Sequence, residues 1–399
     1  MTTEAHATDT KPLFSEHGWK VVHQATAPLG EGSTLPAEAY TSPAVYDREL
    51  ATIFRKNWIN VGKVEEIPER GDYFTTNVVG EPLIITRDDS GEIRALLNAC
   101  RHRGCEVVQG CGNASLFRCP YHGWVYGTDG SLKITPFYKG VTNFDKKDHP
   151  LLSIRLEIWE GFIFINLDKD AQSLKSLLSD MSRVQLEKYD IGGKEVTNTI
   201  TYDLKCNWKA YVENGMEEYH TPFTHATTLQ PIMPLLGWRT FGDEITRQPW
   251  SVMVGQFPEL SMSPTGVPLF PKTAAWDDID SEFKGMPILH IYPNLIIVIS
   301  AESHVAIRVE PTGPETCHLV VQQSVPKETA AAYRAGDPET VAAVNSYAEG
   351  IPPFMAEDND TAERQHRSLR SKLVREGYYC DYEKLAHRFT KWVAEHAYL

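Results

Sequence analysis

Two cysteines and two histidines lie close together in two short stretches of the sequence. Cys100-Arg-His102 is followed, after sixteen residues, by Cys119-Pro-Tyr-His122, so each stretch supplies one thiolate and one imidazole. Soft ligands of this kind suit an iron-sulfur cluster or zinc. A zinc knuckle usually places paired cysteines before paired histidines, whereas here each pair is mixed. The pattern therefore favours a [2Fe-2S] cluster with the cysteines on one iron and the histidines on the other, and zinc is the alternative.

A second pair of possible metal ligands follows further along the chain. His220 and His225 are five residues apart, and an ideal helix would turn their side chains apart by about 140°. Pro222 lies between them and disfavours helix at Thr221, so we expect a bend that lets both imidazoles converge. Two histidines and one carboxylate leave open positions on Fe(II) for O2 and substrate.

The hydrophobic pattern around these residues predicts two kinds of structure. Residues 73–79, 81–87, 93–99 and 158–167 read as strands, with a hairpin turn at residues 126–130. Beyond residue 174 helices and strands mix, with helices predicted at residues 174–186, 207–219, 330–347, 356–376 and 382–396, and strands at residues 195–204, 288–300, 304–310 and 317–325. The prediction is a small β module inside a larger α+β domain.

The composition excludes several classes of protein. With 399 residues, 42% apolar and 23% charged, the chain is long enough for two domains. Its net charge of -14 argues against binding nucleic acid or an anionic membrane surface. Residues 1–12 lack the apolar core of a secretory signal, and residues 288–301 are too short and too interrupted to span a bilayer. We therefore expect a soluble, cytoplasmic protein that binds neither nucleic acid nor membranes.

The Cys-Arg-His-Arg-Gly and Cys-Pro-Tyr-His-Gly-Trp stretches resemble the two Rieske boxes of the ring-hydroxylating and demethylating oxygenases. Respiratory Rieske proteins have a further cysteine in each box, joined as a disulfide. This chain has Cys105 after the first box but Tyr121 in the second, which rules that disulfide out. Cys105 and Cys111 are expected to be packing residues. The resemblance extends over roughly residues 45–375 and is specific at the two metal motifs.

The resemblance implies a fold and a set of ligands. It implies an α+β chain with an N-terminal segment (1–55) packing on the catalytic domain, an all-β Rieske domain (56–165), and a catalytic domain of helix-grip type (166–399). Asp358 lies in an acidic segment similar to the one that supplies the family's third iron ligand, and Asp360 is the alternative. The implied cofactors are a Rieske [2Fe-2S] cluster and a mononuclear Fe(II).

The resemblance also implies partners. Electrons reach the mononuclear iron from the cluster of a neighbouring chain, which implies a homotrimer, and the bridging carboxylate would be Glu217, between His220 and His122 of the adjacent chain. No nucleotide-binding glycine fingerprint is present, so a separate reductase, with or without a ferredoxin, is implied. Arg101 and Arg103 are candidates for docking an acidic electron donor.

The substrate class is the most open part of the prediction. Glu217 is similar to the glutamate of the choline, carnitine and betaine oxygenases, where arene dioxygenases usually have aspartate, so oxidation or N-demethylation of an N-methylated ammonium compound is preferred. Alternatives are an aromatic ring hydroxylase or an O-demethylase acting on an aromatic acid, and, as a different class, an electron-transfer protein without oxygenase activity. Aromatic candidates for a cation pocket are Tyr211, Phe223, Trp238 and Trp250.

Overall fold

The structure is a computed structural model that describes residues 12–241, 244–256 and 274–399. The polar tail predicted at residues 1–12 lies almost wholly outside these ranges. The first strands along the chain are Ile59–Lys63 (β1), Asp72–Val78 (β2), Glu81–Arg87 (β3), Ile93–Leu97 (β4), Cys111–Asn113 (β5), Leu116–Arg118 (β6), Val125–Gly127 (β7), Leu132–Ile134 (β8), Ser153–Trp159 (β9) and Phe162–Asn166 (β10). They pair antiparallel in a seven-stranded sheet of order β1-β10-β9-β4-β3-β2-β5 and a three-stranded sheet β6-β7-β8.

The apolar run at residues 158–167 is not one strand, as predicted, but a hairpin of β9 and β10. The chain reverses at Glu160 and Gly161, whose φ angles of 48° and 79° suit the tight turn of a two-residue hairpin. All five residues of β10 are buried because alternate side chains enter different cores. A strand buried on both faces has no alternation of polar and apolar residues, so the sequence does not indicate at which residue β10 begins.

The second sheet contains the later strands and is also antiparallel. Its strands are Lys194–Leu204 (β11), Trp238–Phe241 (β12), Trp250–Gly255 (β13), Met286–Ile291 (β14), Leu295–Ile299 (β15), His304–Gly313 (β16) and Thr316–Pro326 (β17). Their order is β11-β17-β16-β15-β14-β13-β12. The strand predicted at residues 288–300 is in fact two, β14 and β15, because the chain turns at Pro293 and Asn294. One face of β14–β16 packs into a core, and the other face meets the helices that carry the site.

The helices of the described residues are shorter and more broken than the sequence pattern predicted. They are Glu16–Gln24 (α1), Glu38–Thr41 (α2), Pro43–Glu49 (α3), Leu174–Leu177 (α4), Trp208–Asn214 (α5), Thr221–Thr224 (α6), Lys327–Arg334 (α7), Pro338–Glu349 (α8), Ile351–Leu369 (α9) and Lys384–Val393 (α10). The helix predicted at residues 330–347 is divided into α7 and α8 because Gly336 has φ 79° and Asp337 caps a new helix by accepting from the Thr340 amide.

The N-terminal segment returns to the helices around the site. Glu49, at the end of α3, accepts hydrogen bonds from Lys209 Nζ at 2.7 Å and from Trp208 Nε1 at 2.9 Å, and both ions of the Glu49–Lys209 pair are fully buried. Tyr40 donates to Glu213 at 2.8 Å. Removing one partner of such a pair leaves an uncompensated buried charge, so these bonds fix α5 against the N-terminal segment.

The predicted α+β class, with a small β unit and a larger domain of antiparallel sheet and helices, is confirmed. Within the described ranges we find no helix whose length and apolar character would let it cross a bilayer.

Candidate metal centres

The two Cys/His loops have the same construction. In each loop a glycine lies four residues after the cysteine and donates its amide to the carbonyl of that cysteine, Gly104 to Cys100 at 2.8 Å and Gly123 to Cys119 at 3.1 Å. Both glycines have positive φ, 74° and 67°, a conformation that other residues adopt only with strain. The repeated glycine makes two tight turns that present their ligand side chains to the same place.

The loops bring together the four side chains predicted for the cluster. Cys100 and Cys119 are buried, while His102 is half-buried and His122 is exposed. The Nδ1 atoms of the two histidines are 3.1 Å apart. Burial raises the pKa of the Cys100 thiol, and the adjacent Cys119 sulfur raises it further. Two buried cysteine sulfurs beside two imidazoles are soft ligands, and a bound cation would stabilise the thiolate form of Cys100, so this donor set fits an iron-sulfur cluster.

Two aromatic residues hold these ligands, and sequence reasoning missed both. The Tyr126 hydroxyl accepts from the Arg101 amide at 2.9 Å and lies within hydrogen-bond distance of Cys100 Sγ, at 3.2 Å. The Trp124 ring stacks on His102, with centroids 5.0 Å apart and planes 11° from parallel. Trp124, the last residue of the second box, and Tyr126, two positions later, were a local signal. Hydrogen bonds to cluster sulfurs tune the reduction potential.

The remaining residues predicted around the loops lie at the surface. Arg101 and Arg103 are exposed, as a docking role requires, and Arg103 lies over the Tyr121 ring at 5.3 Å. Cys105 is half-buried and packs against the core of the small unit. Cys111 is exposed on the edge strand β5, so the expectation that it is a packing residue was wrong.

The second set of ligands converges between α6 and α9. His220 and His225 flank the single turn of α6, and Asp358 projects from α9. Asp358 Oδ1 lies 2.9 Å from His225 Nε2 and 3.5 Å from His220 Nε2, and the ligand atoms of the three residues lie within 4.8 Å of one another. Asp360 instead pairs with Arg364 at 2.7 Å and is exposed, so the structure distinguishes the two aspartates.

The chain bends by a different route from the one predicted. The helix expected at residues 207–219 ends at Asn214, and Thr221, expected to be non-helical, is the first residue of α6. Pro222 lies in the first turn of that helix, where its missing amide costs nothing. The helix expected to begin at residue 356 begins at Ile351, so Asp358 lies in its second turn rather than at its start.

A glutamate carboxylate contacts Nδ1 of each imidazole. His220 Nδ1 lies 2.7 Å from Glu217 Oε1, and His225 Nδ1 lies 2.7 Å from Glu357 Oε2. Burial opposes protonation of His220, but Asp358 and Glu217 outweigh it and raise its pKa to about 10. Sequence reasoning found Glu217 and missed Glu357, whose only signal was its place beside Asp358.

These residues fit a mononuclear metal ion. A carboxylate on Nδ1 fixes the tautomer whose Nε2 lone pair is free to bind metal. Asp358 Oδ1 is buried and accepts no hydrogen bond of good geometry, although it lies between two imidazoles. The three neighbouring ligand atoms, two of nitrogen and one of oxygen, form the two-histidine, one-carboxylate set typical of non-haem Fe(II).

A cavity of about 100 Å³ opens beside these ligands. Its wall is largely apolar and includes Tyr211, Met233, Phe354 and Met355, together with the site-facing side chains of the second sheet, Met286, Ile288, Ile296, Val298 and Ile307. Glu218 also lines it, accepting from the Thr221 hydroxyl at 2.6 Å, and burial raises the pKa of Glu218 to about 7. Sequence reasoning did not select Glu218.

The four aromatic residues predicted for a cation pocket lie in different places. Tyr211 is buried and lines the cavity. Phe223 is 77% exposed, and Trp250 is buried in the other core with its indole nitrogen bonded to Asp180 at 3.0 Å. Trp238 packs against the main core. The structure thus places Tyr211 alone of the four in the cavity wall, because the others point away from it.

Comparison with known proteins matches both parts of the chain. Residues 194–397 match the family model of the ring hydroxylating alpha subunit (catalytic domain), and residues 57–145 match that of the Rieske [2Fe-2S] domain. The chain is similar to the chloroplastic choline monooxygenase of Beta vulgaris, with 28% identity over 375 residues that cover 92% of this chain and 78% of the relative.

Two further likenesses extend this comparison. The carnitine monooxygenase oxygenase subunit of Acinetobacter pittii is 32% identical over 224 residues, which cover 56% of this chain and 59% of that one. The structure of a quaternary ammonium Rieske monooxygenase has a TM-score of 0.77 and 24% identity, covering 94% of this chain and 97% of the other. The second likeness shows that the folds agree.

Proposed function

We propose that this chain, which belongs to the family of ring hydroxylating alpha subunits, is the terminal oxygenase of a Rieske-type system acting on an N-methylated ammonium compound. Oxygenases of this family carry a Rieske [2Fe-2S] cluster and a mononuclear iron, and they receive electrons from a separate reductase or ferredoxin. The observation that carries the proposal is the convergence of His220, His225 and Asp358 in a chain that also brings two Cys/His loops together.

The proposed ligands divide between two sites. Cys100, Cys119, His102 and His122 hold the cluster, and His220, His225 and Asp358 hold the mononuclear iron, which when bound supplies open positions for O2 beside the substrate. Glu217 and Glu357 keep both imidazoles in the ligand tautomer. We place the boundaries of the cluster-binding unit at residues 56 and 165, which enclose β1–β9 and all of β10 except its last residue, Asn166.

Electron transfer is proposed to cross between chains of a homotrimer. The His122 ring is exposed, and Glu217 holds the imidazole that would receive the electron. We propose that Glu217 also contacts His122 of the adjacent chain, so that a carboxylate joins the two metal sites. A hydrogen-bonded carboxylate of this kind orients the imidazole on each side of it.

The preferred substrate class follows from Glu217 and from the relatives that oxidise choline and carnitine. Hydroxylation of an N-methyl group gives a hemiaminal, which releases formaldehyde and leaves the demethylated amine. The apolar wall of the cavity favours a second candidate, hydroxylation of an aromatic ring, because the transfer of an uncharged arene from water into an apolar space is favourable.

Metal analysis and O2 uptake together test the function. We expect about three irons per chain and a rhombic EPR signal on reduction, since one [2Fe-2S] cluster and one further iron are held. With a reductase and NAD(P)H, a panel of N-methylated ammonium compounds should give substrate-dependent O2 uptake with formaldehyde. A phenol or dihydrodiol from an arene panel would support the second candidate instead. Zinc in the first site, or two irons per chain without substrate-dependent O2 uptake, would rule out an oxygenase.

A further inference from the structure

Glu218 is held rigidly in the wall of the cavity. It lies in the turn between α5 and α6, where its carbonyl accepts from the Thr221 amide at 3.1 Å and its Oε2 accepts from the Thr221 hydroxyl at 2.6 Å. The preceding residue, Glu217, points instead to His220 Nδ1. The two adjacent carboxylates therefore have different directions, one behind the imidazole and one toward the substrate space.

The cavity gives Glu218 little to offset its charge. Apart from the metal-site residues His220, His225 and Asp358, the described side chains around it are aliphatic, thioether or aromatic, with one amide, Asn214. None of the described lining residues is lysine or arginine. A carboxylate in an apolar, low-dielectric space is costly unless an opposite charge joins it. A cation brought by the substrate would supply that charge.

The position of Glu218 is suited to reaction at an N-methyl group. Glu218 lines the same cavity as His220, His225 and Asp358. An ammonium group paired with Glu218 would thus lie next to the proposed metal ligands, and its methyl groups would be the carbons nearest to them. The thioether and aromatic side chains of Met355, Phe354 and Tyr211 offer polarisable contacts to those methyl groups.

We propose that Glu218 is the substrate-recognising carboxylate, and that the substrate is a cationic amine or amino alcohol without a carboxylate of its own. The inference rests on the proposed function and restricts the proposed substrate class to cations. A carnitine-like or betaine-like zwitterion would bring a second negative charge into a cavity whose described wall has no lysine or arginine. Choline-like compounds carry only the positive charge, so their charge complements that of the Glu218 carboxylate in the cavity wall.

Equilibrium binding tests the charge match without relying on turnover. Isothermal titration calorimetry of the anaerobic holoenzyme would compare choline with its neutral carbon isostere, 3,3-dimethylbutan-1-ol, and with carnitine. We expect choline to bind at least about tenfold more tightly than either. The Glu218→Gln variant should bind choline about tenfold or more weakly than the wild type does, whereas its affinity for the isostere should not fall. This is the result expected when a buried ion pair loses one charge.

Matched variants complete the test. Glu349→Gln makes the same change at an exposed position at the end of α8 and should leave choline binding unchanged, whereas Glu218→Asp should keep the preference for choline over the isostere.

Equal binding of choline and the isostere by the wild-type protein overturns the proposal, even if Glu218→Gln fails to fold. Equal binding of carnitine and choline overturns the exclusion of carboxylates. A holoenzyme that binds choline selectively but shows no substrate-dependent O2 uptake would contradict the oxygenase function and leave the recognition by Glu218 standing.

Discussion

Each imidazole of the proposed mononuclear iron site is oriented by its own glutamate. Glu217 holds His220, and Glu357, which also accepts from the Thr228 hydroxyl at 2.6 Å, holds His225. The two glutamates come from different elements, the turn before α6 and the helix α9. Because a carboxylate on Nδ1 both fixes the ring and raises its basicity, the geometry of the ligands depends on residues that never touch the metal.

Replacing Glu357 should therefore weaken iron binding without removing a ligand. We expect Glu357→Gln to bind Fe(II) about 10- to 100-fold less tightly, as is usual when the carboxylate behind a ligand imidazole is lost. Chelator competition with the purified protein measures the dissociation constant. Asp360→Asn is the control, since Asp360 pairs with Arg364 outside the site. Iron loss in the control but not in Glu357→Gln would reverse the assignment of the aspartates.

The proposed ligands could be selected from the sequence, but of the residues that support them only Glu217 was selected. Cysteine and histidine at close spacing are a local signal, which is why these candidate ligands were selected, whereas Asp358 was selected through the family resemblance. Tyr126 contacts Cys100 from a strand 26 residues further along the chain, and Glu357 contacts His225 from another helix. Such partners depend on tertiary packing, and a single glutamate in a sequence does not indicate what it will face.

At the scale of elements, the hairpin between β3 and β4 is organised by one buried carboxylate. Asp88, 2% exposed, accepts from the Ser90 amide at 2.9 Å, the Glu92 amide at 3.0 Å and Arg94 Nε at 2.5 Å. Burial alone would raise the pKa of Asp88, but the hydrogen bonds from Ser90, Arg94 and Glu92 lower it to about 2. The turn thus leads directly into β4, and Cys100 follows the end of that strand.

Asp88→Asn should lower the free energy of unfolding by about 2 kcal/mol at pH 7, since a pKa lowered from 3.8 to about 2 reflects a stabilised charged form. A lowered folded-state pKa stabilises the protein above the unfolded value and loses its effect as pH falls through the folded value. The difference between variant and wild type should therefore be constant from pH 8 to about pH 5 and shrink between about pH 4 and pH 2.

Urea unfolding at a series of pH values measures this difference. Asp89→Asn, at the exposed neighbouring position, is the matched control and should unfold like the wild type. An Asp88→Asn variant as stable as the wild type at pH 7 would mean that the carboxylate contributes nothing to the hairpin.

Sequence pattern predicted which elements exist better than where they end. The strands at residues 73–79, 81–87 and 195–204 were placed nearly as the structure has them, since each is bounded by clear turn residues. The two apolar runs that became hairpins were misread because β10, β14 and β15 are almost wholly buried and so lack polar alternation. Helix ends were wrong where Gly215 and Gly336, rather than proline, interrupt the helices.

At the scale of the whole molecule, the surface around the cluster is suited to contact with another chain. His122 and Tyr121 are exposed, and Phe137 is 96% exposed with φ 56°. Apolar side chains held open to solvent beside a functional group mark an interaction surface. The proposed electron path requires that a neighbouring chain covering this surface place its own Glu217 beside His122.

Mixed assemblies distinguish electron transfer between chains from transfer within a chain. Cys100→Ser removes a cluster ligand and His225→Ala removes an iron ligand, so each variant alone should be inactive. In trimers of three 44.9 kDa chains assembled at random from equal amounts of both, every mixed ring contains one junction with an intact cluster facing an intact iron site. Co-expressed protein should therefore recover about a quarter of the wild-type O2 uptake. Transfer within a chain predicts none, because no single chain holds both sites. Mixing the separately purified trimers, which exchange no chains, is the control and should remain inactive.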